Sequence, residues 1–424
     1  MGKVNRLMGE LRPPSDKSLT HRAYMLGAIA EGESLVRSPL RGEDCERTLE
    51  CLKSMGLRAR RNGDTEVVLT PARAWSEPTG ELYCGNSGTT MRLLSGLIAS
   101  RPISATLSGD ASLSKRPMGR IAKPLQLMGA EIVGDTPPLR IRGTEVKPLA
   151  YVSPVASAQI KSAILLAALR AKGRTSVEEP SLSRDHTERM LSSLGVPIEI
   201  TIETDGRAFS ALTGPAVPQP FEFTVPGDIS SAAFFMVAAA LIPESELILR
   251  QVGLNPTRSG ILDVFAQCGI NCRILKETIE LGEPVADLSV SFAAEKQPFV
   301  IGGSLVPRLI DEIPVLSVLA TQCEGTTIIK DAGELRVKET DRLKLTANHL
   351  TRMGADVEVF EDGLGITGPT TLTGVEVDAC HDHRIAMAFA VAGLIAEGET
   401  TIKGAETIET SFPEFEETLR RLIV

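Results

Sequence analysis

Six times along this chain, at intervals of roughly seventy residues, one pattern of sequence returns. An apolar, helix-like run comes first, followed by a short polar turn and a strand-like segment. A polar stretch, an amphipathic helix, a glycine and another strand complete the pattern. The apolar runs cover residues 21–30, 91–99, 160–169, 231–241, 313–321 and 384–396. The second helices are expected to stop at Gly56, Gly129, Gly195, Gly269 and Gly354, where glycine supplies the left-handed backbone that ends a helix. Such units bury their faces against one another, so the chain is expected to be α/β (α+β), with repeated units around buried helices.

A single core rarely grows past about 250–300 residues, so six repeats need a division. The proline-rich stretch Gly214-Pro215-Ala216-Val217-Pro218-Gln219-Pro220 lies between the third and fourth repeats and is the best linker. One domain is then 13–220, holding repeats one to three. The sixth repeat ends on a helix with no strand after it, whereas residues 3–12 read as an extended segment before the first repeat. The economical expectation is that this segment completes the second domain, 1–12 plus 221–424. The chain would cross near 13 and near 220, making a two-strand hinge, with a cleft between the lobes as ligand site.

The first helix of each repeat is almost wholly apolar, as in Phe234-Phe235-Met236-Val237-Ala238, and is expected to be buried on all sides. The second helices, as over 338–353, are mixed and are expected to cover the outside.

Composition narrows the function. With 424 residues and a formal charge of −9, the chain lacks the basic surplus of a general nucleic-acid or membrane-surface binder. The seven cysteines are scattered and form no C-x-x-C pair, the usage of a reducing compartment. No signal-like segment precedes Pro13, and no apolar run approaches a membrane span. The expectation is a cytoplasmic protein acting as a monomer.

Several polar motifs stand at the starts of the apolar runs. Asp16-Lys17-Ser18 with His21-Arg22 sets two cations at a helix N-terminus, against the macrodipole unless an anion binds there; a capping Asp16 or Ser18 with solvated cations is the plainer alternative. Gly85-Asn86-Ser87-Gly88-Thr89-Thr90-Met91-Arg92 is a glycine-rich turn whose N–H groups suit an anion, without the ending of a Walker A loop. Ser157-Ala158-Gln159 opens the third run. Asp311-Glu312 opens the fifth, and helix capping is the first expectation for both acids. Lys338-Glu339-Thr340-Asp341-Arg342 reads alone as a solvated helix face. Asp382-His383-Arg384 opens the sixth run. The isolated His381-x-His383 pair is not a metal site on its own. Taken together, Lys17, Arg22, Arg342 and Arg384 recur at equivalent boundaries and describe a pocket for a multiply anionic substrate.

These motifs, with Lys115-Arg116-Pro117-Met118, Pro226-Gly227-Asp228-Ile229-Ser230-Ser231-Ala232, Asp311-Glu312-Ile313-Pro314, Glu334 to Arg342, His383-Arg384 and Ser411-Phe412-Pro413, resemble the 5-enolpyruvylshikimate-3-phosphate synthase family in order along the whole chain. The resemblance implies the enolpyruvyl transferase fold, two lobes each of three βαβαββ units. It implies transfer of the enolpyruvyl group of phosphoenolpyruvate to the 5-hydroxyl of shikimate 3-phosphate, with release of phosphate and with no metal or organic cofactor. The partners would be those two small molecules, not nucleic acid or membrane.

By matching motif, Lys17, Gly88 (through its backbone), Arg116, Gln159, Arg342 and Arg384 resemble the phosphoenolpyruvate contacts. Ser18 and Arg22 resemble the clamp on the shikimate carboxylate. Ser157, Ala158 and Arg184 would take the 3-phosphate, while Asp311 and Lys338 would hold ring hydroxyls, with Gln159 beside the same substrate. Asp311 is implied as base, and Glu339 with Lys17 as the proton-delivering groups.

Two departures stand out. Many members have lysine immediately before the Ser/Thr-Phe-Pro motif, where this chain has Thr410. Ser157-Ala158-Gln159 and Ser183-Arg184-Asp185-His186 resemble a divergent class whose members often tolerate glyphosate, whereas alanine at position 88, a route to tolerance, is glycine here. The nearest rival is the enolpyruvyl transferase acting on UDP-N-acetylglucosamine. It carries Lys-Asn where this chain has Lys17-Ser18, and a loop cysteine in the stretch corresponding to 108–120, which has none here. A non-catalytic binding homologue is the other alternative, but it would not need Lys17, Asp311 and Glu339 together. A nucleic-acid-acting repeat protein is disfavoured by the acidic balance.

Overall fold

A computed structural model describes all 424 residues and divides them into two compact units. The first comprises Ser15–Val225 with Ile279–Glu283; the second comprises Met1–Pro14, Pro226–Thr278 and Pro284–Val424. The helices of the first unit are α1 (Lys17–Gly27), α2 (Glu43–Ser54), α3 (Gly88–Ala99), α4 (Gly119–Leu127), α5 (Ala158–Ala168) and α6 (His186–Ser193). Those of the second are α7 (Ile229–Leu241), α8 (Gly260–Cys268), α9 (Val306–Leu309), α10 (Ile313–Ala320), α11 (Arg342–Arg352), α12 (His383–Gly393) and α13 (Phe415–Leu422).

The two helix types differ as their sequences require. Every residue of α7, α10 and α12 is buried, because α7, α10 and the part of α12 after His383-Arg384 carry apolar or small side chains all round. A fully buried Leu or Phe in such a helix contributes about 1.5–3 kcal/mol. By contrast, α2 buries one face, with Cys45, Thr48, Leu49 and Leu52 at three- and four-residue spacing together with Asp44 and Cys51, and exposes Glu43, Glu50, Lys53 and Ser54. Its first turn holds Glu43, Asp44 and Glu46, its last turn Lys53, as the helix dipole favours. The stop glycine Gly269 has φ +75°, a left-handed cap after α8. Close approach explains another glycine: a Cβ on Gly96 of α3 would meet the Ala163 carbonyl oxygen of α5 at 2.2 Å.

In each unit three buried helices form the centre, and small sheets surround them. Within the second unit α7, α10 and α12 pack mutually. An aromatic cluster of Phe234, Phe235, Phe412 and Phe415, with centroids 5.4–6.3 Å apart, joins α7 to α13 and the segment before it.

The sheets repeat one topology. Glu283–Ser291 pairs antiparallel with Glu246–Gly253, and Met8–Leu11 adds in parallel on the other side of Glu246–Gly253. Likewise Ser34–Arg37 pairs antiparallel with Glu66–Thr70, and Glu222–Thr224 adds in parallel beside it. That pairing keeps Phe221–Val225 with the first unit, so the division falls at Val225–Pro226, five residues beyond the expected boundary. Pro13 and Pro14 lie in the second unit, where the Asp228 N–H donates to the Pro14 carbonyl at 2.8 Å. Five of the sheets have four strands; the sixth repeat has only Glu376–Asp378 and Thr401–Lys403, in parallel.

One expected helix is shorter than its charge pattern suggested. α11 begins at Arg342, not 338, because the Asp341 carboxylate caps it at the Lys344 N–H (3.0 Å). Lys338, Glu339 and Thr340 form the turn that precedes it, after a 3₁₀ segment over Gly333–Val337. No helix is long and apolar enough to cross a membrane.

Candidate active site

The first unit gathers Lys17, Ser18, Arg22, Gly88, Arg116, Ser157, Ala158, Gln159 and Arg184 around the starts of α1, α3 and α5 and the segment before α6. Asp16 caps α1 at the Leu19 N–H (2.7 Å), so it, and not Ser18, is the capping residue. Lys17 Nζ pairs with Asp44 at 3.1 Å, both side chains partly exposed. Arg22 is buried: its Nε donates to Thr187 Oγ1 (2.8 Å), and its Nη groups to Ser162 Oγ and the Ser18 carbonyl (both 3.1 Å). Burial pulls its pKa down to about 10, against the attraction of Glu188, Asp16 and Glu283, and nearby Arg184 pushes the same way as burial. The solvated-cation alternative therefore fails for Arg22.

Around the glycine-rich turn, Ser87 caps α3 at the Thr90 N–H (3.1 Å). A Cβ on Gly88 would lie 2.7 Å from Arg92 Nη1 and 3.5 Å from Arg116 Nη1, so two guanidinium groups crowd this backbone. Gln159 accepts from Arg92 and donates to Thr89 Oγ1 (3.1 Å), and Arg116 donates to Asn86. Gly88, Arg116 and Gln159 are thus neighbours, and Arg92 links them. Sequence reasoning missed Arg92 as a site residue, although its place one helical turn after Gly88 was a usable signal.

At the start of α5, Ser157 has an extended backbone and its side chain makes no capping bond. Its N–H donates instead to Glu179 Oε1 at 2.7 Å.

The second unit gathers Asp311, Lys338, Glu339, Arg342 and Arg384 at the starts of α10, α11 and α12. Arg342 is 1% exposed and holds three carboxylates: Asp382 through Nε (2.8 Å) and Nη2 (3.2 Å), Asp311 through Nη1 (3.1 Å), and Glu339 through Nη2 (2.7 Å). Burial alone pulls the guanidinium pKa down, but Glu339, Asp382 and Asp311 overcome it and raise it above the usual arginine range. This charge run is therefore not a solvated face, which only the fold reveals.

Asp311 also faces Lys338 Nζ and Arg384 Nε, each at 3.8 Å. The capping expectation for Asp311 and Glu312 fails, since no side chain caps α10. Glu312 accepts the Ser230 hydroxyl, and Arg258 binds Asp228 (2.9 Å) and Ser230 Oγ (2.7 Å) beside it. Asp382, which sequence reasoning passed over for its cationic neighbours, caps α12 at the Arg384 N–H (3.0 Å) and accepts from Thr340 Oγ1 (3.0 Å). No cluster of three or more His, Cys, Asp or Glu is arranged for a metal ion.

Chemically, each unit presents cations and helix N-termini to anions, and the second adds carboxylates, Asp311 and Glu339, that are fixed by arginine. The model of the EPSP synthase (3-phosphoshikimate 1-carboxyvinyltransferase) family matches residues 1–419. The chain belongs to this family. It is 47% identical to a 3-phosphoshikimate 1-carboxyvinyltransferase of Brevibacillus brevis, over 99% of this chain and 98% of that one. It is 48% identical to the enzyme of the same name from Geobacillus kaustophilus, over 99% of both. Among solved structures, an EPSP synthase from Acinetobacter baumannii superposes with TM-score 0.88 at 43% identity, covering 100% of this chain and 96% of that one. The enolpyruvyl transferase NikO from Streptomyces tendae, at 18% identity and TM-score 0.80, covering 100% of this chain and 96% of that one, shares the fold. The mixed α/β architecture of small sheets around buried helices is that of the EPSP synthases and of this transferase.

Proposed function

We propose that this chain transfers the enolpyruvyl group of phosphoenolpyruvate to the 5-hydroxyl of shikimate 3-phosphate and releases phosphate. The observation that carries the reading is the EPSP synthase match along residues 1–419. The charged helix starts of both units support it.

In this reading Arg22 and Ser18 hold the shikimate carboxylate, and Ser157, Ala158 and Arg184 take the 3-phosphate. Lys17, Gly88, Arg116, Gln159, Arg342 and Arg384 hold phosphoenolpyruvate. Planar guanidinium groups suit its carboxylate and phosphate, and fixing both anions orients the vinyl carbons. The attacking hydroxyl loses a proton and bonds to the central carbon while the methylene carbon gains one. Departure of phosphate with loss of a methyl proton then restores the double bond. Asp311 is assigned as the proton acceptor on the family resemblance, and Lys338, Arg342 and Arg384, 3.1–3.8 Å from its carboxylate, hold it in place. Glu339, with Lys17, delivers the proton to carbon. Lys338 and Asp311 hold ring hydroxyls. The seven free cysteines suit a reducing compartment, so the reaction is assigned to the cytoplasm.

The test is phosphate release from phosphoenolpyruvate with shikimate 3-phosphate or UDP-N-acetylglucosamine as acceptor, without added metal. Release with shikimate 3-phosphate alone is expected. Release only with the UDP-sugar, or with neither, overturns the assignment.

A further inference from the structure

Behind the start of α5 lies a buried ionic triad that none of the roles above uses. Lys161, Glu179 and Glu188 are each no more than 1% exposed. Lys161 Nζ stands 2.8 Å from Glu179 Oε2 and 2.8 Å from Glu188 Oε1, and donates to the Ser183 carbonyl at 3.3 Å. Burial disfavours the ammonium, and the two glutamates more than reverse that. Such a triad is a poor choice for stability alone, because apolar residues of the same volume often serve as well.

What distinguishes it is where its remaining hydrogen bonds go. Glu179 Oε1 accepts the Ser157 N–H at 2.7 Å. The Ser183 hydroxyl donates to both Glu179 oxygens, at 2.7 and 2.9 Å, and the Ser183 N–H to Oε2 at 3.4 Å. One carboxylate therefore ties Ser157 to the residue preceding Arg184. Lys161 and Glu188 have neighbours in the same arrangement: Ser162 and Thr187 hydrogen-bond each other at 2.7 Å and together grip the Arg22 guanidinium.

We propose that Glu179, held by Lys161 and Glu188, is a positioning residue that sets the spacing between the Ser157-Ala158 helix start and Arg184, and so fixes the enzyme's preference for a phosphorylated ring. This rests on the function proposed above. Glu179 consumes the Ser157 N–H, so the phosphate is met by the Ser157 hydroxyl, the next N–H groups of α5 and Arg184. A carboxylate this near a phosphate repels it, and Lys161, one cation between two glutamates, offsets part of that repulsion. Without the tie, both segments keep their residues and lose their spacing, and orientation is what a phosphate site requires.

The test is Glu179→Gln, whose amide places a donor against either Lys161 or the Ser157 N–H. Calorimetric titration with shikimate 3-phosphate and with shikimate measures the preference for the phosphorylated ring. We expect that preference to fall about tenfold or more, the size of one lost hydrogen bond to a charged group. The KM for shikimate 3-phosphate should rise in step, while kcat and the KM for phosphoenolpyruvate stay within about threefold. A purely structural role lowers stability and leaves the preference between the two ligands unchanged, and that result overturns the proposal. If Glu179→Gln does not fold, Ser183→Ala, which removes only the hydroxyl tie, decides: an unchanged preference overturns it. If the wild-type protein binds no shikimate 3-phosphate, the parent reading falls, and this inference falls with it.

Discussion

Asp382→Asn is the sharpest probe of how the second unit holds its arginine. Asp382 is fully buried, and each of its oxygens accepts two hydrogen bonds. Oδ1 takes Arg342 Nη2 (3.2 Å) and the Arg384 N–H (3.0 Å), while Oδ2 takes Arg342 Nε (2.8 Å) and Thr340 Oγ1 (3.0 Å). Asparagine has nearly the same shape but only one oxygen, so its NH₂ must face donors whichever way it turns. With the amide toward Arg384, the helix cap and one guanidinium bond are lost. With it toward Arg342 Nε, Thr340 can rotate to accept and one guanidinium bond is lost. A hydrogen bond to a charged group is worth about 1.5–3 kcal/mol, and a cap about 1 kcal/mol. The expected loss is therefore about 2–4 kcal/mol, below the cost of deleting a buried partner outright because Asp311 and Glu339 still hold Arg342. Urea unfolding followed by far-ultraviolet circular dichroism reads this term. Steady-state phosphate release reads the second consequence: a KM for phosphoenolpyruvate raised about tenfold or more, with a smaller change for shikimate 3-phosphate. An unfolding free energy within about 0.5 kcal/mol of wild type together with an unaltered KM for phosphoenolpyruvate refutes the argument.

Further outcomes are expected. Glu339→Gln and Asp311→Ala should each lower turnover by about 10²–10⁴-fold with folding intact, measured by phosphate release and circular dichroism; wild-type rates in both would show the proton-transfer assignment to be wrong. Gly88→Ala should raise the KM for phosphoenolpyruvate several-fold with little loss of stability, because the new Cβ displaces only the mobile end of Arg92. An unchanged KM would remove Gly88 and Arg92 from that contact. His21 is wholly buried, its Nδ1 bonded to Thr48 Oγ1 at 2.7 Å, and burial pushes its pKa down to about 3. Below about pH 6.5 the unfolded chain takes up a proton that the folded protein refuses, so stability falls as pH drops toward 3, by up to about 1.4 kcal/mol per unit. His21→Gln should flatten that acid limb between pH 6.5 and 4; an unfolding midpoint that declines in parallel with wild type would contradict it.

Much of the fold was legible along the chain. The buried helices announce themselves by apolar content over three turns, and their partners by glycine stops such as Gly56 and Gly269, both at positive φ. These are local properties that depend on neighbours within a few residues. The helix start at Arg342 was misplaced by four residues because a cap and a preceding 3₁₀ turn look like helix in a charged stretch. The site was legible as motifs but not as geometry. Arg116, Gln159 and Arg384 carry their type and place openly, whereas Arg92, Glu179 and Asp382 look like ordinary surface charges.

What the sequence determined by itself is therefore the repeated unit, the buried helices and the family, since periodicity and ordered motifs survive without coordinates. The tertiary structure alone decided which charges are buried and which partner each one meets. Arg22 reaches Thr187 across 165 positions, and Arg342 reaches Asp382 across 40. Electrostatic pairing acts through distance in space, and no local pattern records which distant carboxylate will close upon a given cation.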